Sequence, residues 1–191
     1  CNKRMDIKKI IKDNWIFIWI ILLAVAVRLY FFWITRNQAE WWDSCEMLAT
    51  AKSWAFGIPY EIGSQRMPLM PMLAAGLFMF GFVETAIKTI IVLIPSVLIV
   101  SLVYLLGKEM YSKNVGLIAA FFTAVSWTLL FWTNRFQPDF LSLSFQILAI
   151  LFMWKYWKTD KTSFIIWAGI FARLGVMSKN SALLVPFIFI V

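Results

Sequence analysis

"MPLMPMLAAGLFMFGF", residues 67–82, is the stretch on which the fold turns. It is apolar throughout, yet its 16 residues fall short of the length a membrane-crossing helix needs, and it carries Pro68, Pro71, Gly76 and Gly81. A span takes about 17–25 residues. Whether this segment crosses decides on which side of a membrane every later loop falls.

A membrane is the right solvent to consider. Hydrophobic residues make up 62% of the chain and the mean hydropathy is +0.78, above the roughly 45–50% apolar share of soluble domains. Apolar stretches run at 14–35, 88–107, 115–132, 139–157 and 163–178, with another starting near 181. The first, from Trp15 through Arg28 to Ile34, is long enough to span and lacks the small-residue cleavage site of a signal peptide, so it reads as a permanent anchor. No internal repeat, low-complexity tract or soluble domain is visible. The chain begins at Cys1 and ends inside "LLVPFIFIV", which reads as the N-terminal part of something longer, with residues 1–191 forming one membrane module.

The positive-inside rule decides the topology. With the N-terminus inside and 67–82 crossing, seven basic residues lie inside (Lys3, Arg4, Lys8, Lys9, Lys12, Lys88, Arg135). Eight then lie outside (Arg36, Lys52, Arg66, Lys108, Lys113, Lys155, Lys158, Lys161). If 67–82 dips in without crossing, Lys88 and Arg135 trade sides with the five from Lys108 to Lys161, giving ten inside against five outside. The expectation is therefore a cytoplasmic tail at 1–13 and an outer loop at 36–87 that holds a juxtamembrane helix and a re-entrant segment. A re-entrant backbone is tolerated only where protein or a water-filled cavity covers it. The net charge of +8 then reports topology and not nucleic acid.

Chemistry has few side chains to draw on. With no His, and only Cys1 and Cys45, this chain builds neither a Cys/His zinc site nor a Ser-His-Asp triad. Catalysis falls to carboxylates, Lys, Arg or a metal held through oxygen. Ionisable residues at membrane depth are functional candidates, here Arg28, Asp43, Glu46, Arg66, Asp139, Arg173 and Lys179.

In "WWDSCEMLATAKSWAFGIPY", residues 41–60, helical spacing puts Asp43, Glu46, Thr50 and Ser53 on one arc and Met47, Leu48, Ala51, Trp54 and Ala55 on the opposite one. The helix is expected to lie on a membrane surface, Trp side down. "DSCE" also fits a D-x-x-E capping box, and spacing alone supports a cap and a catalytic acid equally. In "NRFQPDF", Pro138 suits a first helical position and Asp139 a first turn. Asp139 could equally be a second carboxylate facing the same cavity as Asp43, sharing Mg²⁺ or Mn²⁺ or accepting a proton. Arg66 and Lys179 could each meet a phosphate, Lys179 alternatively snorkelling to headgroups, and Arg28 reads first as a snorkelling residue.

In order, Arg28-Leu29, Asp43, "ATAKSWAFGIPY", "QRMPLMPMLAAGLFMFG", "LLGKEMYSKNVGLIAA", Asp139 and "GVMSKNSALLVP" resemble the GT-C type dolichyl-phosphate-mannose–protein mannosyltransferase and aminoarabinose transferase-like superfamily. The resemblance covers nearly the whole chain. It implies an all-α, polytopic enzyme of the plasma membrane that takes a sugar from a polyprenyl-phosphate carrier on the outer face and gives it to a protein, lipid or glycan. It assigns Asp43 as base or metal ligand, Asp139 as second acid, and Arg66 and Lys179 as carrier-phosphate binders, with Glu46, Tyr60 and Arg28 secondary. Ser44 stands where many relatives have Glu, and Met67 replaces the first proline of the usual pair. A transporter or flippase subunit, or a non-catalytic scaffold of the same fold, are the competing expectations.

Overall fold

Hydrocarbon offers a backbone no hydrogen-bond partners, so each long apolar run closes its bonds internally as a helix. The computed structural model describes residues 7–59 and 66–185, and within them every regular element is helical. The N-terminal helix α1 (Ile7–Thr35) is kinked at Asn14 (φ −123°, ψ 17°). From Asp13 to Thr35 it has 23 residues, enough to cross a bilayer. The second helix, α2 (Trp42–Phe56), stops at Gly57, whose φ of 68° suits a residue without Cβ. Then comes α3 (Leu69–Met79).

A single rod follows over Glu84–Met110, made of α4 (Glu84–Lys88), a π-helical turn (Thr89–Leu93) and α5 (Ile94–Met110). Pro95 explains the turn, because it lacks an N–H and its ring would strike the carbonyl one turn back. The helix widens there, with the Ile94 N–H reaching Thr89 O.

The next pair begins with α6 (Lys113–Val125), capped by Ser112, whose Oγ accepts from Val115 N at 3.3 Å. The helix breaks at Ser126 (φ −60°, ψ 116°) and resumes as α7 (Trp127–Phe131). Gly107 of α5 and Gly116 of α6 meet backbone to backbone. A Cβ on Gly116 would stand 2.6 Å from the Tyr104 carbonyl oxygen. The last two helices, α8 (Asp139–Thr159) and α9 (Thr162–Ser178), form a hairpin turned at Asp160 and locked by stacked Phe145, Phe152, Phe171 and Trp167. A 3₁₀ turn, Asn180–Leu184, follows. Besides α1, the Glu84–Met110 rod and α8 are long and apolar enough to cross a membrane.

Hydrogen bonds and ion pairs sort the helix ends into two groups. At one end, Asn134 Nδ2 donates to Thr35 O at 2.6 Å, Lys88 pairs with Glu40, Lys52 with Glu84 at 3.1 Å, and Lys179 with Asp139 at 2.6 Å. At the other, Lys113 donates to the Asp13 carbonyl, and Trp154 and Lys158 donate to Glu109 O at 3.1 and 2.6 Å. The 11-residue α3 is only about 16 Å long. It begins beside Arg66, which pairs with Asp43, and leads to Glu84, which pairs with Lys52. Both its ends therefore sit at the same end of the bundle.

Two expectations need correction. The apolar arc of α2 is buried in one core cluster with Leu69, Met70 and Ala74 of α3, so Met47, Leu48 and Ala51 rest on protein and not on lipid; Trp54 of that arc stays exposed. Arg28 does not snorkel. It is fully buried on the inward stripe Ile20, Ala24, Arg28, where its Nη1 donates to Ala124 O at 3.0 Å and Nη2 to Thr123 O at 3.2 Å. The break at Ser126 leaves those carbonyls without helical donors, and a cation at a helix C-terminus satisfies both their hydrogen bonding and the dipole.

Candidate functional site

The loop from Arg36 to Trp41, the start of α2, Arg66 and the loop between α7 and α8 meet at the first of these ends. Trp41 is the N-cap of α2 in extended conformation, without a side-chain cap bond, and Asp43 follows in the first turn. The capping-box reading of "DSCE" is thereby overturned. Asp43 and Glu46, one turn apart on the same face, are instead held by a single guanidinium. Arg66 Nη2 pairs with Asp43 Oδ1, and Arg66 Nε donates to Glu46 Oε2 at 3.0 Å. The Glu46 hydrogen bond, helped by the charge and hydrogen bond of Asp43, outweighs the desolvation that opposes it and holds the Arg66 guanidinium above its ordinary pKa. Arg66 stays a cation.

Lys179 owes its place to the end of α9. Its backbone turns extended (φ −155°, ψ 132°) between Ser178 and the 3₁₀ turn, so its ammonium reaches Asp139, the first residue of α8, 2.6 Å away. Two adjoining hollows take in both pairs. One, of about 210 Å³, is lined by Asp43, Arg66, Met67, Gln137, Lys179 and Ser181, among others. The second, of about 380 Å³, is lined by Trp41, Asp43, Trp132, Gln137, Asp139 and Lys179. Asp43, Gln137 and Lys179 belong to both, so the two form one cleft with the paired charges along it.

Behind the cleft lies a support that sequence reading missed. Glu40 pairs with Lys88 and its other oxygen accepts from Phe136 N at 3.4 Å, while Lys88 also reaches Glu84 at 3.3 Å. The Lys88 and Glu40 side chains are only 11% and 14% exposed. One carboxylate thus ties the loop after α1 to α4 and to the segment carrying Gln137 and Asp139. Gln137 Nε2 donates to the buried Ser44 Oγ at 3.4 Å. Ser44, which departs from the Glu of the resembled family's motif, therefore lies behind the cleft and not in it. Trp41, Trp132 and Gln137 were also missed as lining residues; the double tryptophan of "WWD" was the available signal. Glu40 and Lys88, 48 positions apart, left none.

Of the residues singled out from sequence, Asp43, Asp139, Arg66 and Lys179 come together in the cleft. Glu46 joins through Arg66. Arg28 is buried against α6, away from the cleft, and Tyr60 lies outside the described residues. Arg173 is exposed on α9. Among the described residues no three Asp, Glu or Cys side chains gather as a metal site, and Asp43 and Asp139 are each held by a cation.

An all-helical bundle with membrane-length helices and a cleft lined by paired charges at one end defines a polytopic membrane protein. Residues 66–191 match the family model for dolichyl-phosphate-mannose-protein mannosyltransferase, about two thirds of the chain, and the protein belongs to that family. It is a membrane glycosyltransferase by that membership. No curated protein and no solved structure matches the chain.

Proposed function

We propose that the protein moves a sugar from a polyprenyl-phosphate carrier to a hydroxyl of a protein, lipid or glycan, with the cleft on the outer face of the plasma membrane and the N-terminus in the cytoplasm. The observation that carries this reading is convergence. Two cations and two carboxylates from four separate stretches of chain line one cleft at one end of the bundle. The ten-against-five basic count supports the orientation.

In the transfer, the bond between the sugar's anomeric carbon and the phosphate oxygen breaks, and the phosphate keeps the electron pair. The acceptor oxygen bonds to that carbon and gives its proton to a carboxylate. Phosphate is a leaving group already near ionisation, so cations that hold it and a base that orients the acceptor supply most of the catalysis. The Arg66 fork matches two phosphate oxygens and Lys179 adds a point charge. As the cleft stands, Arg66 occupies Asp43. A phosphate that takes over those donors releases Asp43 to act as base, and one arriving at Lys179 likewise releases Asp139 to orient the acceptor. Along α3, whose N-terminal side borders the cleft, an apolar groove of about 360 Å³ lined by Met72, Gly76, Phe80 and Ile90 suits the isoprenoid tail.

The test is a transfer assay on the full-length protein with polyprenyl-phosphate sugars. Asp43→Asn should lower turnover by about 10²–10⁴ while carrier binding persists. Transfer by Asp43→Asn at the wild-type rate would falsify the assignment of the base.

A further inference from the structure

The second hollow of the cleft has an aromatic wall that the transfer chemistry above does not use. We infer that Trp41 and Trp132 form a stacking platform for a pyranose ring, an inference that rests on the glycosyltransferase reading. Trp41 keeps 47% of its surface exposed although it is packed on several sides. The Arg135 guanidinium lies 3.6 Å from its ring centroid. The rings of Trp132 and Phe131 meet it edge to face at 5.5 and 5.8 Å. Arg135 also faces Phe131 at 4.5 Å, and its Nε is buried without a hydrogen-bond partner. A cation committed to ring faces in place of acceptors holds the indole in one orientation, so little side-chain freedom is left to lose when a ligand arrives.

The polar groups beside the wall complete the match. The same hollow of about 380 Å³ is lined by Asp43, Gln137, Asp139 and Lys179. A sugar ring presents one apolar face of C–H groups and an equatorial fringe of hydroxyls. The face suits an indole, whose π surface is electron-rich. The fringe suits carboxylate acceptors, an amide that both donates and accepts, and an ammonium. A few polar groups converging beside aromatic surface is the usual build of a small-molecule site. A headgroup-level tryptophan anchor would need neither the packed Arg135 nor the carboxylates.

The test reads ring contact independently of turnover. Full-length protein in nanodiscs is mixed with millimolar methyl pyranosides, and saturation-transfer NMR records which sugar protons receive magnetisation. The expected result is transfer to the C–H protons of one ring face, at least fivefold weaker in Trp41→Leu, largely kept in Trp41→Phe, and unchanged in Gly169→Ala, an open position on α9 outside the cleft. No transfer in the wild type, or equal transfer in Trp41→Leu and Trp41→Phe, overturns the platform. Should Trp41→Leu not fold, Trp132→Leu replaces it and the same weakening is expected; full transfer there overturns it. Kinetics then separate the two sources of the ring. A fivefold or larger rise in KM for the carrier-linked sugar in Trp41→Leu assigns the wall to the donor, and a similar rise for a glycan acceptor assigns it to the acceptor. Absence of any transfer activity in the wild type defeats the glycosyltransferase reading alone, since the NMR contact stands or falls without it.

Discussion

Arg66→Ala separates binding from stability, and the exposure of the groups says by how much. The Arg66 side chain is 37% exposed, with Asp43 at 44% and Glu46 at 28%. Water screens pairs this open, and each is worth about 0.2–1 kcal/mol. Removing the guanidinium should therefore cost the fold no more than about 1–2 kcal/mol. A phosphate gripped by the same fork makes charge-assisted hydrogen bonds worth about 1.5–3 kcal/mol. At about 1.4 kcal/mol per tenfold, that is a loss of roughly 10- to 150-fold in carrier affinity. Arg66→Lys should recover part of it, because an ammonium replaces the charge without the fork. Binding of a labelled short-chain polyprenyl phosphate to the protein in nanodiscs measures the first quantity, and thermal unfolding of the same samples the second. Affinity within twofold of wild type, together with a large fall in melting temperature, would refute the reasoning by making Arg66 a structural clamp.

Three other outcomes follow from the fold. Gly116→Ala places a methyl 2.6 Å from the Tyr104 carbonyl oxygen and 3.0 Å from Lys108 N, both backbone atoms, so α5 and α6 must part; a loss of about 1–3 kcal/mol is expected by equilibrium unfolding, with Ala at the open Gly169 as a control that costs little. Arg28→Met leaves the carbonyls of Ala124 and Thr123 without their donors, at about 1–3 kcal/mol, and faster amide exchange should appear at the Ser126 break before anywhere in α8. A cysteine at Met110, at the end opposite the cleft, should react with a membrane-impermeant thiol reagent only after permeabilisation, whereas the exposed native Cys45 should react in intact cells; the reverse pattern inverts the proposed orientation.

Much of the helical order is legible in the sequence. The apolar stretches at 139–157 and 163–178 overlie α8 and α9 within a residue or two, and 14–35 overlies the part of α1 beyond its kink at Asn14, because a run of apolar residues in hydrocarbon has no alternative to internal hydrogen bonding. The same hydropathy could not reveal the break at Ser126. The carbonyls beside that break are capped by Arg28, 95 and 96 positions away. Nor could it reveal the turn at Thr89–Leu93 in advance, although Pro95 marks the place.

For the cleft the division is sharper. Asp43, Arg66, Asp139 and Lys179 stand out by chemistry alone, since charge is costly in such a chain and each survivor asks for a reason. Which of them meet was not readable. Hydropathy reports that a residue leaves the lipid, not which neighbour it faces. The pairing of Arg66 with Asp43 and Glu46 spans 23 and 20 positions, and that of Lys179 with Asp139 spans 40. By itself the sequence determined the solvent, most of the helices and the charged side chains that need a reason, through free energies each segment carries alone. Only the tertiary structure decided that Arg28 caps a helix, that Glu40 and Lys88 brace the loops, and that two tryptophans wall the cleft, because those contacts exist only once the helices have packed.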